Sequence, residues 1–148
     1  MTSAWTLDEV SDRLQIQQLL VDYATAIDTR QFDDLDEVFT NDAYIDYRAM
    51  GGIDGDYPDV KAWLAQVLPA FPMYAHMLGN ISIRFDDEGG AERSSAVVRS
   101  LCFNPMVPGG DGEQVLFLGL WYDDVVVRTR HGWRLTRRVE TKCFNRLV

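Results

Sequence analysis

The chain is poor in groups that most catalytic chemistries need. It has two histidines and two cysteines in 148 residues. The cysteines, Cys102 and Cys143, make no Cys-x-x-Cys pair. Both fall in predicted strands and read as small buried hydrophobes of a reducing compartment. Neither histidine, His76 or His131, has Glu or Cys at ligand spacing, which argues against a metal centre. Gly51-Gly52 and Gly109-Gly110 do not follow a strand and open a helix, so they form no phosphate loop. No serine sits in a nucleophile elbow. No cofactor is expected. Basic clusters are also missing: the net charge is −9, and Arg137-Arg138 is too short to reverse it. This disfavours nucleic-acid phosphates and anionic membrane surfaces as partners. No apolar run is long enough to span a bilayer, and the first residues lack the basic and apolar regions of a signal peptide. A cytoplasmic protein is the expectation.

What remains is an ordinary globular composition, 47% hydrophobic and 25% charged, at a length that suits one domain over 1–148. Thr6-Leu7-Asp8-Glu9 is a capping box, in which Thr6 caps the helix start and Glu9 reaches back. Val10, Leu14, Ile16, Leu19, Leu20, Tyr23, Ala24 and Ile27 then recur at helical spacing, which predicts an amphipathic helix ending near Thr29. A short helix over Phe32–Phe39 and a strand over Ala43–Tyr47 follow, with Tyr44 and Tyr47 on opposite faces. Pro58 starts another helix that Val60–Ala70 completes. Beyond Met77 the pattern is antiparallel sheet: Ile81–Phe85, a turn at Asp86-Asp87-Glu88-Gly89-Gly90, Ala96–Asn104, a loop at Pro105–Gly112, Val115–Val127, a turn at His131-Gly132, and Trp133–Phe144. Helices first and long strands afterwards predict an α+β fold with the helices on one sheet face.

Two places in this pattern carry charge where apolar residues are expected. Trp133, Leu135, Arg137, Val139 and Cys143 alternate on one face of the last strand. Arg137 is therefore either a salt-bridged structural residue or a pocket cation. Asp28 ends the first helix at the edge of its apolar stripe, where the helix dipole opposes an acid. Forty-eight residues later His76 precedes a strand. A carboxylate bonded to one imidazole nitrogen fixes the tautomer and stabilises the imidazolium, leaving the other nitrogen to take a proton. A tyrosine hydroxyl can supply the complementary hydrogen. The structural alternatives are a buried, hydrogen-bonded His76, an Asp28 bonded to Thr29 or Arg30, and a Tyr23 that is plain core. Asn80, four residues after His76, falls on the same strand face and is a candidate substrate contact.

The order of elements resembles the nuclear transport factor 2-like fold in its SnoaL-like branch, across about residues 7–144. The resemblance implies a cone-shaped, mostly antiparallel curved sheet packed on N-terminal helices, as in cystatin-like folds. Tyr23-Ala24-Thr25-Ala26-Ile27-Asp28 and His76-Met77-Leu78-Gly79-Asn80 are similar to segments of the group containing scytalone dehydratase, hexachlorocyclohexane dehydrochlorinase and bile-acid 7α-dehydratase. In that group a helix-end aspartate and a strand-opening histidine form the site, matched here by Asp28 and His76. A tyrosine five residues before the aspartate is matched by Tyr23. An early-strand pocket tyrosine is matched by Tyr47 or Tyr44, with Tyr47 preferred. The dehydrochlorinase's pocket arginine corresponds to Arg137. The chain departs from scytalone dehydratase in having no histidine at Arg99–Phe103.

The resemblance implies a cofactor-independent lyase, or an isomerase, acting on a small hydrophobic cyclic molecule. His76 is then the base, Asp28 its orienting group, and Tyr23 or Tyr47 the hydrogen donor. Tyr44, Asn80, Arg137 and Trp121 are candidate substrate contacts in an apolar cone. The rival is a non-catalytic binding or structural subunit of the same fold, which needs no Asp–His contact. In either case the apolar sheet face suggests a homodimer or homotrimer.

Overall fold

A computed structural model describes residues 4–86 and 93–148. Helix α1 spans Leu7–Asp28. Thr6 caps it by accepting a hydrogen bond from the Glu9 backbone N–H, so half of the capping box forms. The Glu9 carboxylate pairs with Arg13, one turn along, at 2.8 Å. The buried stripe of α1 is Asp12, Ile16, Leu19, Leu20, Tyr23, Ala24, Ala26 and Ile27. Val10 and Leu14, expected in that stripe, are 36% and 60% exposed. Asp12 takes the core position instead.

The expected second helix is a 3₁₀ segment at Phe32–Glu37, and strand β1 begins directly after it at Phe39–Asp46. A 3₁₀ turn, Arg48–Met50, and strand β2, Asp54–Asp56, lead into helix α2, Tyr57–Val67. α2 buries Tyr57, Val60 and Leu64, one residue per turn on one face. A 3₁₀ turn at Leu68–Ala70 and strand β3, Met73–Tyr74, follow. The remaining strands are β4 (Met77–Phe85), β5 (Ser95–Val107), β6 (Leu116–Thr129) and β7 (Gly132–Leu147). β5 runs through Pro105, where the sequence predicts a loop. Pro105 is tolerated because β5's partner strand is broken opposite it. Residues 87–90 of the predicted turn lie outside the described residues.

The strands form one mixed, mostly antiparallel curved sheet in the order β2-β1-β7-β6-β5-β3, with β4 also paired to β5 and β1 parallel to β7. The N-terminal helices pack on it, as expected. Alternation along β5 and β6 turns Ala96, Val98, Cys102, Leu118, Leu120, Tyr122 and Val126 into the core beside α1. No described helix is long and apolar enough to cross a membrane.

Two bulges set what β7 presents. Val126 faces Leu135 while Val125 faces Arg137, so Thr136 is an extra residue. The bulge reverses the alternation, because strand side chains follow a strict period of two. Trp133 and Leu135 face inward before it and Arg138 after it. Arg137, predicted inside, turns outward and lies 4.9 Å from the Tyr44 ring centroid. A second extra residue, Cys143, separates the Leu120–Lys142 and Gly119–Phe144 pairs and is exposed. The expectation that both cysteines are buried holds for Cys102 alone.

Candidate active site

The C-terminal end of α1 is tied to the broken strand edge by two hydrogen bonds. The Tyr74 hydroxyl donates to the Ile27 carbonyl at 2.7 Å, and the His76 backbone N–H donates to Asp28 Oδ2 at 2.9 Å. Tyr74 pairs with Met106 and Met77 with Phe103 in one continuous register, which sets Ala75 opposite Pro105 and His76 opposite Asn104. Pro105 has no N–H to give back across this step. Ala75 donates to the Pro105 carbonyl at 3.2 Å, and the next N–H, that of His76, faces off the edge toward Asp28.

The same aspartate holds the imidazole. His76 Nδ1 lies 2.6 Å from Asp28 Oδ1, with the His76 side chain 6% exposed and that of Asp28 27% exposed. With the Nδ1 hydrogen donated to Asp28, Nε2 carries the free lone pair. The ring is boxed edge-on by Tyr23 and Tyr74, at centroid distances of 6.3 and 6.2 Å. It lines a cavity of about 390 Å³.

Tyr23 and Tyr47 meet in this cavity with their hydroxyls 2.6 Å apart. Two hydroxyls in contact use one hydrogen between them and leave the other free to donate. Burial raises both phenols, Tyr47 well above the ordinary range, so both keep their hydrogens at neutral pH. Tyr47 is seated by a tight turn: the Gly52 N–H donates to the Tyr47 carbonyl at 2.9 Å. A side chain at Gly52 would place its Cβ 2.8 Å from both Trp63 and Tyr47.

The cavity's remaining polar lining is Asn104 of β5, Tyr122 of β6 and Glu140 of β7. Glu140 pairs directly across from Tyr122. Asn104 Oδ1 and Glu140 Oε2 are buried without a hydrogen-bond partner. The rest of the wall is apolar and comes largely from α2 and the strand ends, including Trp63, Phe71, Met106 and Leu118. Beneath the lining, Arg138 makes a two-pronged ion pair with Asp124 at 2.8 and 2.7 Å. Its guanidinium also lies over the rings of Tyr23 and Tyr122, at 4.2 and 3.9 Å from their centroids. Burial opposes the arginine's charge, but Asp124 outweighs it and holds the guanidinium firmly protonated.

Four sequence-predicted contacts stand off the cavity lining. Arg137 is turned out by the bulge. Tyr44 points away from Tyr47 and donates to Asp54 at 2.8 Å. Trp121 is on the outer sheet face under Arg99, 4.6 Å from its ring centroid, because its neighbour Tyr122 takes the inward position. Asn80 sits at an irregularity between Gly79 and Ser82, with φ of +49°, and is exposed. The asparagine that does share a face with His76 is Asn104, its cross-strand neighbour. Asn104 and Tyr122 were readable as polar members of inward-facing alternations. Arg138 and Glu140 were hidden by the bulge. Cys102 is inert as a nucleophile here, since burial pushes its thiol up to about 12. Among the described residues no three His, Cys, Asp or Glu side chains gather as metal ligands.

The sequence model of the family described as a SnoaL-like domain matches residues 8–139. Rv2910c of Mycobacterium tuberculosis H37Rv, named only as an uncharacterised protein, is 64% identical over 146 residues, 99% of this chain and 95% of its own. Among solved structures, a Novosphingobium aromaticivorans protein provisionally named a scytalone dehydratase is 22% identical, with a TM-score of 0.80 over 93% of this chain and 87% of its own. The type-3 hexachlorocyclohexane dehydrochlorinase LinA of Novosphingobium barchaimii is 18% identical, with a TM-score of 0.79 over 96% and 93% of the two chains. At these identities the two structures establish a shared fold.

Proposed function

This chain belongs to the SnoaL-like domain family, and on that premise we propose that it is a cofactor-independent lyase of the dehydratase type acting on a small hydrophobic cyclic substrate. The observation that carries the reading is the 2.6 Å contact of Asp28 with His76 Nδ1 in the wall of an apolar cavity. His76 Nε2 removes a proton next to a carbonyl and β to a leaving group. Asp28 keeps the imidazole in the tautomer that can do so and stabilises the imidazolium that forms. The free hydrogen of the Tyr23–Tyr47 pair donates to the enolate oxygen as its charge grows. Apolar walls exclude water, so each of these interactions is stronger than in solvent. Elimination is preferred to a carboxylate-based isomerisation because the group at the base position is an imidazole. Fold relatives named for dehydration and dehydrochlorination support the same class of reaction.

A binding module of this fold would keep the cavity with no use for an Asp–His contact. The test is turnover of a panel of cyclic β-hydroxy ketones, followed by enone absorbance, for wild type and His76→Ala. We expect the variant to lose roughly 10³-fold or more, within the range for positioned acid–base groups, with the melting temperature nearly unchanged. Full activity in the variant would sink the assignment.

A further inference from the structure

One carboxyl group in the cavity has no role in the chemistry above. Glu140 projects from β7 beside Tyr122, lines the same cavity as His76, and leaves Oε2 buried and unbonded. No ion pair joins it to a cation among the described residues. The nearby cation, Arg138, is already held by Asp124 through Nε and Nη2. A buried carboxylate that no cation neutralises and that leaves one oxygen unbonded is costly, whereas a neutral carboxyl is tolerated and carries an O–H to donate. Elimination of hydroxide needs such a donor, because hydroxide is a poor leaving group, while a halide or carboxylate departs without one.

We propose that Glu140 is the acid that protonates the departing oxygen, a role that rests on the His76 reading above. His76 Nε2 takes the proton from carbon, and that electron pair becomes the new C=C bond. The C–O bond breaks, and its oxygen takes the Glu140 proton and leaves as water. The imidazolium then returns its proton to the Glu140 carboxylate through solvent, restoring both groups with no net change in the enzyme. The surroundings favour the neutral acid. Burial pushes Glu140 up to about 8, Arg138 opposes this, Asp46 of β1 adds to it, and the Met50 backbone N–H opposes it. Tyr23, Tyr47, Tyr122 and Cys102 also feel the Glu140 charge, and burial keeps all four protonated near neutrality.

The test compares Glu140→Gln with wild type on 3-hydroxycyclohexanone and 3-acetoxycyclohexanone, which yield the same enone. Gln keeps the shape and a hydrogen to donate but transfers no proton. The variant should lose about 10²–10⁴-fold in kcat on the hydroxy ketone and under about tenfold on the acetate, with KM little changed. Wild-type kcat/KM on the hydroxy ketone should fall as pH rises through about 8, and the variant should lack that limb. Equal losses on both substrates, or none on the hydroxy ketone, overturn the proposal while leaving His76 standing. Activity retained by His76→Ala on both overturns the underlying reading instead.

A readout independent of turnover is the infrared difference spectrum, wild type minus Glu140→Gln. It should show a carboxylic-acid C=O stretch at pH 7 that disappears with a midpoint near 8; a carboxylate band at pH 7 overturns the proposal. Folding gives the same sign. Between the ordinary glutamate range and about 8 the folded chain holds a proton that the unfolded chain has lost, so wild-type stability falls across that interval and is level above it. Glu140→Gln should therefore melt higher than wild type at pH 9 and match it near pH 5.

Discussion

The two ends of α1 bury the same kind of side chain for opposite purposes. Near the start, Asp12 is 7% exposed and accepts from Arg128 at 2.6 Å and from the Trp133 indole at 3.2 Å, with Arg93 at 3.4 Å. At the other end, Asp28 is 27% exposed and holds one imidazole and one backbone N–H. Guanidinium and indole keep their hydrogens at any physiological pH, so the partners of Asp12 have no proton to exchange and the group serves as a clamp of helix on sheet. An imidazole changes its charge near neutrality, so a carboxylate bonded to it can steady a proton in transit. The nature of the partner, more than the depth of burial, separates structure from chemistry here.

Placing one substitution at both ends sharpens this contrast. Asp28→Asn should lower kcat/KM by about 10²–10⁴-fold, because an amide stabilises no imidazolium and can select the wrong tautomer. Its melting temperature should barely move. Asp12→Asn should do the reverse. Removing a mostly buried anion from two arginines, both partly solvated, costs roughly 2–3 kcal/mol. For a chain of this size that is a drop of roughly 4–12 °C in melting temperature, with activity per folded molecule retained. Thermal denaturation and steady-state kinetics on the two variants decide it. Parallel losses in both would erase the distinction.

A smaller effect belongs to the tyrosine pair. Tyr47→Phe leaves Tyr23 its own hydrogen but takes away the bond that positions it, so about a tenfold loss in kcat is expected, below the roughly 10²–10³-fold of losing a direct donor to developing charge. Comparing Tyr23→Phe on the same substrate shows which hydroxyl faces the reacting oxygen, since its removal should cost the more. No loss in either variant would assign the pair to packing.

Much of this was legible in the chain, and the failures share a cause. Thr6 and the spacing of Ile16 through Ile27 marked α1 because capping and a 3.6-residue period are local properties. Asp28 and His76 stood out as an acid and a base at element ends, and a continuous register across Pro105 brings them together. Arg137 and Asn80 were misread, and Arg138 and Glu140 passed over, because a bulge is a property of two paired strands. Thr136 looks like any strand residue until its partner strand is known, and every side chain after it changes face. Asp12 was passed over for another reason: a carboxylate in an apolar stripe becomes favourable only when distant arginines, at 93 and 128, arrive to pair with it.

The smallest predicted effect tests the bulge itself. An uninterrupted alternation puts Arg137 in the cavity, where its loss would cost activity and leave a buried partner uncompensated. The bulged register puts it outside, over Tyr44, with its charge in solvent. An exposed cation over a ring is worth at most about 0.5–1 kcal/mol, and part of that survives as contact with water. Arg137→Ala should thus shift stability by about 0.5 kcal/mol and leave kcat/KM within about twofold of wild type. Deleting Thr136 should leave Arg137 outside and Arg138 and Glu140 within, because a regular alternation from Leu135 without the extra residue gives the same faces. An inactive Arg137→Ala that still folds would show that the chain runs through this stretch without the extra residue.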